Sequence, residues 1–438
     1  MAISDIKKIR LKKLGRIKKV GVNPYPTKTQ RTHSVEQVLI DFEALCRAKT
    51  EITLTGRITA VREHGGSCFI NFDDGKAKIQ AYFKQDKLGD KNYKFFLDNF
   101  DVGDFIEIAG TLFQTKRGEK TIESSDFKML AKSLLPLPEK WHGLQDVEER
   151  FRKRYLDLIM NPEVREKFRT RSKIIEELRN ILDGEGFLEV ETPILQPIPG
   201  GALARPFQTH LNALKMDLYL RVSPELYLKR LLVGGFDKVY EIGRCFRNEG
   251  MDKHHNPDFT MIELYWAYQD RDGLMDFVER AMIELVKKIK GETKFTYQGK
   301  EVDFRVPWKR IKFRDLDFEK DKVGIIQPTF VTDHLAKMAI LAKTKEDNPK
   351  EADRFQVVVG GIELINGFSE LNDPLEQEKR FKAAKIETER KDKDFLEALQ
   401  YGMPPAAGLG MGIDRLVALL TDSHSLREVI LFPTMRPK

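Results

Sequence analysis

Two hydrophobic periods divide this chain. Between Glu51 and Leu130 apolar and polar residues alternate with period two in "EITLTGRITAV", "SCFINF", "DDGKAKIQAYF", "FIEIAGTL" and "TIESSDFKML". Such alternation marks strands with one buried face. Turn residues at "HGG", "DDG" and "KRGEK" separate the runs, and one helical segment, "DKNYKFFLDNF", is inserted among them. Five short strands with one helix predict a small Greek-key barrel of the oligonucleotide-binding type. On such a barrel exposed aromatics stack on bases and polar neighbours read base edges. Phe69 and Gln80 are the candidates for these two jobs. The plainer reading of Phe69 is a core residue, the commoner place for a strand phenylalanine.

Elsewhere the period is helical. In "IKKIRLKKLGRIKK" (Ile6 to Lys19) the apolar residues Ile6, Ile9, Leu14 and Ile17 fall roughly at helical spacing among eight Lys or Arg. A solvated amphipathic helix and a phosphate-contacting helix both fit. Asp5 and the scarcity of serine argue against an organelle-targeting helix. "NPYP" then breaks the helix. "REKFRTRSKIIEELRNILDGEGFLEVETPIL" predicts a helix over Arg165 to Leu182, stopped by Gly184 and Gly186, then a strand leading to Pro193. Proline at a strand end suggests a sheet edge, and an edge helix with its strand makes a dimer surface. Between the two regions "LLPLPEKWHGLQD" reads as an ordered linker, with the boundary near Pro138. The expected division is 1–50, a basic helical extension; 51–138, the barrel; and 139–438, an α+β domain carrying the chemistry.

That chemistry is concentrated in one hairpin. "KVYEIGRCFRNE" and "DFTMIELYWAY" read as antiparallel strands joined by the loop "GMDKHHNP". Alternation puts Arg247 and Glu249 on one face, and likewise Phe259, Glu263 and Tyr265, with Ile262, Leu264 and Trp266 opposite. Nucleotide chemistry accounts for the set. An arginine clamps a phosphate, a phenylalanine stacks on a purine, and a carboxylate holds an ammonium. Near the C-terminus, "AAGLGMGIDRLVALL" places Gly408, Gly410 and Gly412 before a helix with Arg415 in its first turn, so that backbone can approach a ligand closely. Asn366, Phe368 and Glu370 alternate on one strand face.

Composition narrows the classes. Charged residues make up 33% of 438, and no apolar run is long enough to span a bilayer. Cys46, Cys68 and Cys245 form neither a disulfide framework nor a zinc spacing, which points to a reducing cytoplasm. The net charge of +7 suits a polyanionic partner.

Taken in order, "GFLEVETPIL", "FRNEGMDKHHNPDF" and "GLGMGIDR" resemble the three motifs of class II aminoacyl-tRNA synthetases. "DVEERFRKRYLDLI", "IPGGALARPF", "SPELYLKRLLVGGF", "NGFSELNDP" and "VILFPTMRP" resemble the lysyl branch in particular. The similarity covers nearly the whole chain. It implies an OB-fold anticodon-binding domain ahead of a catalytic domain built on a mostly antiparallel sheet flanked by helices. It implies lysine, ATP and tRNA(Lys) as substrates, Mg²⁺ as cofactor, and a homodimer formed through the first motif. By resemblance, Arg247 binds the α-phosphate and the substrate carboxylate, Glu249 reads the adenine amino group, and His255 reaches the γ-phosphate. Phe259 and Arg415 sandwich the adenine. Glu263 and Gly201 hold the α-amino group. Glu225, Tyr265 and Glu370 surround the ε-ammonium, with Asn366 and Phe368 lining the pocket. Phe69 and Gln80 meet the central anticodon base. Three carboxylates for two ammonium groups match the charge of lysine.

Three places depart from the family pattern. "DFEKDKVG" replaces a longer helical insertion, and should leave the sheet intact. "LAKMAILA" (Leu335 to Ala342) replaces Pro-x-Glu-x-Ser-Pro-Leu-Ala. Gln356 stands where the family carries a metal-binding Glu, with Ile362 in place of an Arg just before Glu363. Glu363 is then the expected metal ligand, and an ion relying on Gln356 should bind weakly. Because Glu363 and Glu370 would otherwise face opposite ways, a bulge is expected between them, at Gly367. A second reading is a divergent paralogue that binds tRNA or nucleotide without efficient aminoacylation. Lysine-dependent exchange of pyrophosphate into ATP separates the two.

Overall fold

The computed structural model describes residues 2–138, 144, 146–202, 204–384 and 392–437. Contacts divide the chain into two compact units, Met1–Gly143 and Leu144–Lys438. Residues 139–143 of the expected linker lie outside the described residues.

The first unit opens with a helix, Ile3–Lys19, whose first turn holds Asp5 and whose last turn holds Arg16, Lys18 and Lys19, each sign opposing the helix dipole. Its buried face differs from the apolar spacing. Ile17 is buried, but so is Arg10, while Ile9 is 43% exposed. Arg10 donates to the carbonyls of Val102 (2.9 Å), Ser133 (3.1 Å) and Leu135 (2.9 Å), so this guanidinium is spent on the barrel and is not available to phosphate. Lys7, Lys8, Lys12, Lys18 and Lys19 remain exposed.

Five strands, Ile52–His64, Ser67–Asp73, Lys78–Lys84, Phe105–Gln114 and Lys120–Ala131, then close into a barrel. Side chains alternate in and out as their sequence does: Cys68, Ile70 and Phe72 are fully buried while Phe69 and Asn71 between them are not. The helix Asp90–Asn99 packs Phe96 edge-on against the inward Phe83, ring centroids 4.5 Å apart.

The second unit is built on an eight-stranded sheet. Across it run Lys309–Lys312, Thr329–Leu335, Glu351–Val359, Ile362–Ser369, Ala406–Gly412, Asp258–Ala267, Lys238–Phe246 and Leu188–Glu189. Neighbours are antiparallel except at the two edges, where Lys309–Lys312 and Leu188–Glu189 pair in parallel. Two long helices, Pro162–Gly184 and Arg271–Lys290, pack on each other, with Leu178, Leu182, Phe277 and Val278 in the sheet's core cluster. Proline at the first position of the former is preorganised for a helix start. The segment after it supplies the edge strand expected before Pro193. In place of the longer insertion, Phe313–Asp315, Phe318–Asp321 and Lys322–Gly324 make short helical turns between two strands, and the sheet is continuous across them.

Candidate active site

Two central strands form the floor of a cavity of about 350 Å³. On Asp258–Ala267, Phe259, Glu263 and Tyr265 line the cavity, while Ile262 and Leu264 point into the core, as alternation requires. The glycine-rich stretch is the neighbouring strand Ala406–Gly412, not the turn expected from sequence. Tyr265 pairs with Gly408 and Glu263 with Gly410 across this ladder. A Cβ at Gly408 would lie 2.4 Å from Glu370 Oε1 and 2.5 Å from the Tyr265 ring. The strand thus supplies backbone without side chains where Tyr265 and Glu370 need the space.

Glu263 is 3% exposed. Its two oxygens accept from Ser223 Oγ (2.7 Å) and Tyr265 Oη (3.0 Å). Burial, with the negative charge of Glu225 behind it, pushes this carboxyl up to about 7, although both hydrogen bonds favour the ionised form. Gly201 has φ +86°, and a Cβ there would meet Ser223 Oγ at 2.8 Å and Glu225 Cβ at 3.1 Å, so only glycine brings its backbone this close.

Beyond Glu263 lie Glu225, at the start of the helix Glu225–Val233, and Glu370, just past the end of Ile362–Ser369. Sequence counted these with Glu263 as carboxylates awaiting two ammonium groups. The structure corrects the count. Lys229, one turn after Glu225, is fully buried and places Nζ 2.7 Å from Glu225 and 2.5 Å from Glu370. Its ammonium also lies 5.4 Å from the centre of the Phe368 ring. Burial alone would lower the Lys229 ammonium, but the two carboxylates outweigh it and raise it. Burial likewise pushes Glu370 up, opposed by Lys229.

At the other end of the cavity stand Arg247, Glu249, His255, Glu363 and Arg415. The strand Lys238–Phe246 ends one residue before Arg247, so Arg247 and Glu249 sit in a loop and do not share a strand face. That loop is tied down: Arg247 N donates to Pro257 O (2.8 Å), Asn248 N to Arg205 O (2.7 Å), and Glu249 accepts from Arg205 N (3.3 Å). The Arg247 guanidinium lies 5.1 Å from the Phe259 ring centre, and its buried Nε has no hydrogen-bond partner. Arg415, in the first turn of Ile413–Leu420, donates to Glu363 O (2.8 Å). His255 Nδ1 meets both oxygens of Asp252, at 2.9 and 3.0 Å.

A bulge does bring Glu363 round to Asn366 and Phe368, but it lies at Leu364, not Gly367. Val358 pairs with Glu363 and Val357 with Ile365, leaving Leu364 as the extra residue. Gly367 stays in regular register because the Phe355 ring fills the space beside it.

Gln356 stands apart. It is buried, and its Oε1 faces His334 Nε2 at 2.9 Å instead of lining the cavity. Burial, reinforced by nearby Arg354, lowers His334 to about 4, so the ring is neutral and its Nε2–H donates. Among the described residues no group of three or more His, Cys, Asp or Glu could by itself hold a metal ion. Besides Ser223, the residues of the site that escaped the sequence include two cations. One is Lys229. The other is Arg354, which lines the cavity and donates to Asn366 Oδ1 at 2.7 Å. The i,i+4 spacing of Glu225 and Lys229 was the available signal for the first. Arg354 alternates with Gln356 along its strand but carries no mark of its own.

In the barrel unit, Phe69 is not a core residue. Its ring stacks on Tyr82 with centroids 4.6 Å apart, on the outward face. Gln80 is on the same face, paired across the ladder with Asn71, and its Oε1 accepts from Thr121 (3.1 Å). Asn71 in turn accepts from Arg62 (3.3 Å). Tyr82, Asn71 and Arg62 extend the pair chosen from sequence into a platform.

Comparison with known proteins matches both units. Residues 146–436 match the family model for class II tRNA synthetases (D, K and N), and residues 52–130 that of an OB-fold nucleic acid binding domain. Relatives named lysine–tRNA ligase include proteins of Carboxydothermus hydrogenoformans (47% identical, covering 100% of this chain and 99% of the relative), Pelotomaculum thermopropionicum (46%, 100% and 96%) and Roseiflexus castenholzii (45%, 100% and 100%). The aligned lengths, 486 to 488 residues, exceed the 438 of this chain, as a shortened insertion requires. The chain belongs to the class II tRNA synthetases, in the lysine–tRNA ligase family.

Proposed function

We propose that the cavity condenses L-lysine with ATP and that the barrel's outward face reads the anticodon of tRNA(Lys). The observation that carries this reading is the buried set Glu225, Glu263 and Glu370 beside the cavity that Arg247 lines. Buried carboxylates are tolerated only with partners, and an amino acid with two ammonium groups supplies them. In this reading Glu263 and the backbone at Gly201 hold the α-ammonium, and Glu225, Tyr265 and Glu370 hold the ε-ammonium beside Asn366 and Phe368. Arg247, half-buried against Phe259 with Nε unspent, takes the lysine carboxylate and the α-phosphate together. Adenine lies between Phe259 and Arg415, its amino group toward Glu249, with His255 toward the γ-phosphate.

No enzyme nucleophile is needed. The lysine carboxylate attacks the α-phosphorus and pyrophosphate leaves. A terminal ribose hydroxyl of tRNA then takes the lysyl group and AMP departs. The chain's contribution is to fix the reacting groups and to spread developing negative charge over Arg247 and Arg415. Mg²⁺, bound with the ATP phosphates, would neutralise phosphate charge. Glu363 is the cavity carboxylate able to hold it, and one carboxylate plus phosphates is an ordinary magnesium set. Dimerisation through the edge strand is supported by Leu188, Ile194 and Leu195, which are 44–49% exposed. No helix among the described residues is long and apolar enough to cross a membrane, and a cytoplasmic setting fits the three free cysteines.

The deciding experiment is pyrophosphate exchange into ATP with each of the twenty amino acids. Lysine alone should drive it. Exchange driven by aspartate or asparagine would overturn the reading, and no exchange with any amino acid would favour the paralogue without aminoacylation.

A further inference from the structure

Lysine is among the residues least often fully buried, and only when paired. Lys229 is fully buried, its ammonium against two of the carboxylates assigned above to another lysine's ε-ammonium. It is not a generic core ion pair. Its partners, Glu225 and Glu370, come from a helix start and a strand end far apart in the chain, and the ammonium bridges them at 2.7 and 2.5 Å. Glu370 Oε2 faces Lys229, while Oε1 lies against Gly408 and accepts no hydrogen bond. Glu225 lines the open cavity as well as touching Lys229. Each carboxylate therefore meets the resident ammonium and keeps capacity for a second cation.

The charges close only when Lys229 is counted. Three carboxylates surround the pocket; Lys229 supplies one positive charge and a bound lysine supplies two. Without Lys229 the ligand-free pocket would hold Glu225 and Glu370 with no cation between them, and burial already pushes Glu370 toward its neutral form. A neutral carboxyl is a poor partner for an ammonium and an adequate one for an uncharged chain.

We propose that Lys229 is a positioning residue that bridges Glu225 and Glu370 and fixes them as partners for an ammonium, and so makes the pocket select a charged side chain over an uncharged one of the same length. This rests on the assignment of Glu225 and Glu370 to the substrate's ε-ammonium. Lys229 does not touch the reacting atoms. Its effect falls on amino-acid binding and on discrimination.

The test uses the full-length protein in pyrophosphate exchange, with L-lysine and with L-2-aminohexanoic acid, which has the same carbon chain and no ε-ammonium. In Lys229→Met the KM for lysine should rise roughly a hundredfold, the scale of a broken buried ion pair, with kcat little changed. The preference for lysine over 2-aminohexanoic acid should fall by a similar factor. A merely space-filling Lys229 would weaken both substrates together, so an unchanged preference overturns the proposal. Should Lys229→Met fail to fold, Lys229→Ala is assayed with added n-propylammonium or n-propanol. Recovery with the amine alone supports the proposal; recovery with both equally, or with neither, overturns it. Glu370→Gln separates the two layers of inference. If that variant keeps the wild-type KM for lysine, the pocket assignment itself fails. If its KM rises while Lys229→Met keeps its preference, only the role of Lys229 fails.

Discussion

The outward face of the barrel and the catalytic cavity recognise by opposite means. On the barrel, Phe69 and Tyr82 present stacked rings beside Gln80, Asn71 and Arg62, all partly exposed. In the cavity, Glu225, Glu263, Glu370 and Lys229 are at least nine-tenths buried. A stacked ring contributes through contact area, tolerates imperfect geometry and is indifferent to pH. A buried carboxylate contributes only when a cation is near, and is costly when it is not. The lesson is that the same chain should be robust at one site and brittle at the other.

The largest effect expected is at Arg247. Arg247→Ala should reduce lysine-dependent exchange by about a thousandfold, the upper range for one lost donor to a developing charge. Binding of tRNA, measured by filter retention, should be unchanged; a parallel loss would erase the division between the sites. Next comes Gly408→Ala. Its Cβ would crowd Glu370 and Tyr265, and overpacking of this kind costs about 1–3 kcal/mol, roughly ten- to a hundredfold in the KM for lysine.

On the barrel, Phe69→Ala should raise the KM for tRNA about tenfold, from a stacking loss of about 1–3 kcal/mol per base, while exchange is spared. A fall in both activities would mean that Phe69 supports the fold after all. The pH response should also separate the sites. Glu263 titrates near 7, held up by burial, so below that value its proton must leave before an ammonium is bound. The KM for lysine should therefore fall as pH rises through 7, by at most about tenfold per unit for each group, and, because burial pushes Glu370 up to about 8, level off only above that value. A flat profile would show that Glu263 is already ionised in the free enzyme. The smallest effect is expected at Gln356→Glu. Because Gln356 faces His334, Mg²⁺ titrations of exchange should nearly superimpose for variant and wild type. A clearly lower Mg²⁺ requirement in the variant would place position 356 at the metal.

Much of this was legible from spacing, because alternation is a local property. Phe259, Glu263 and Tyr265 share the cavity face that their even spacing requires, and Ile262 and Leu264 the core. Alternation left Phe69 open, with the core the plainer reading, and the structure turns it outward, since Cys68 and Ile70 take the inward places on either side. Spacing misled where the backbone leaves its period. Arg247 and Glu249 lie past the strand's last residue, and Leu364, not the glycine at 367, takes the bulge. What spacing could not reveal was pairing between distant segments. Arg10 looked like a phosphate contact until Val102, Ser133 and Leu135 supplied its acceptors. The spacing of Lys229 with Glu225 says nothing of Glu370, far along the chain, which completes its pairing.

The bulge at Leu364 bears on how this chain can gain or lose residues over time. Glu363, Asn366 and Phe368 face one cavity only because Leu364 is skipped in the pairing. Loss of Leu364 would leave an ordinary ladder with the same three side chains inward, at the expense of a buried leucine. Loss of Gly367 would instead send Phe368 to the far side of the sheet. At the edge, between Lys309–Lys312 and Thr329–Leu335, short turns carry the chain and parity has no hold. Insertions and deletions should therefore be judged by parity and place rather than by size. Many residues can be dispensed with at the rim, whereas the loss of Gly367 alone would turn the site inside out.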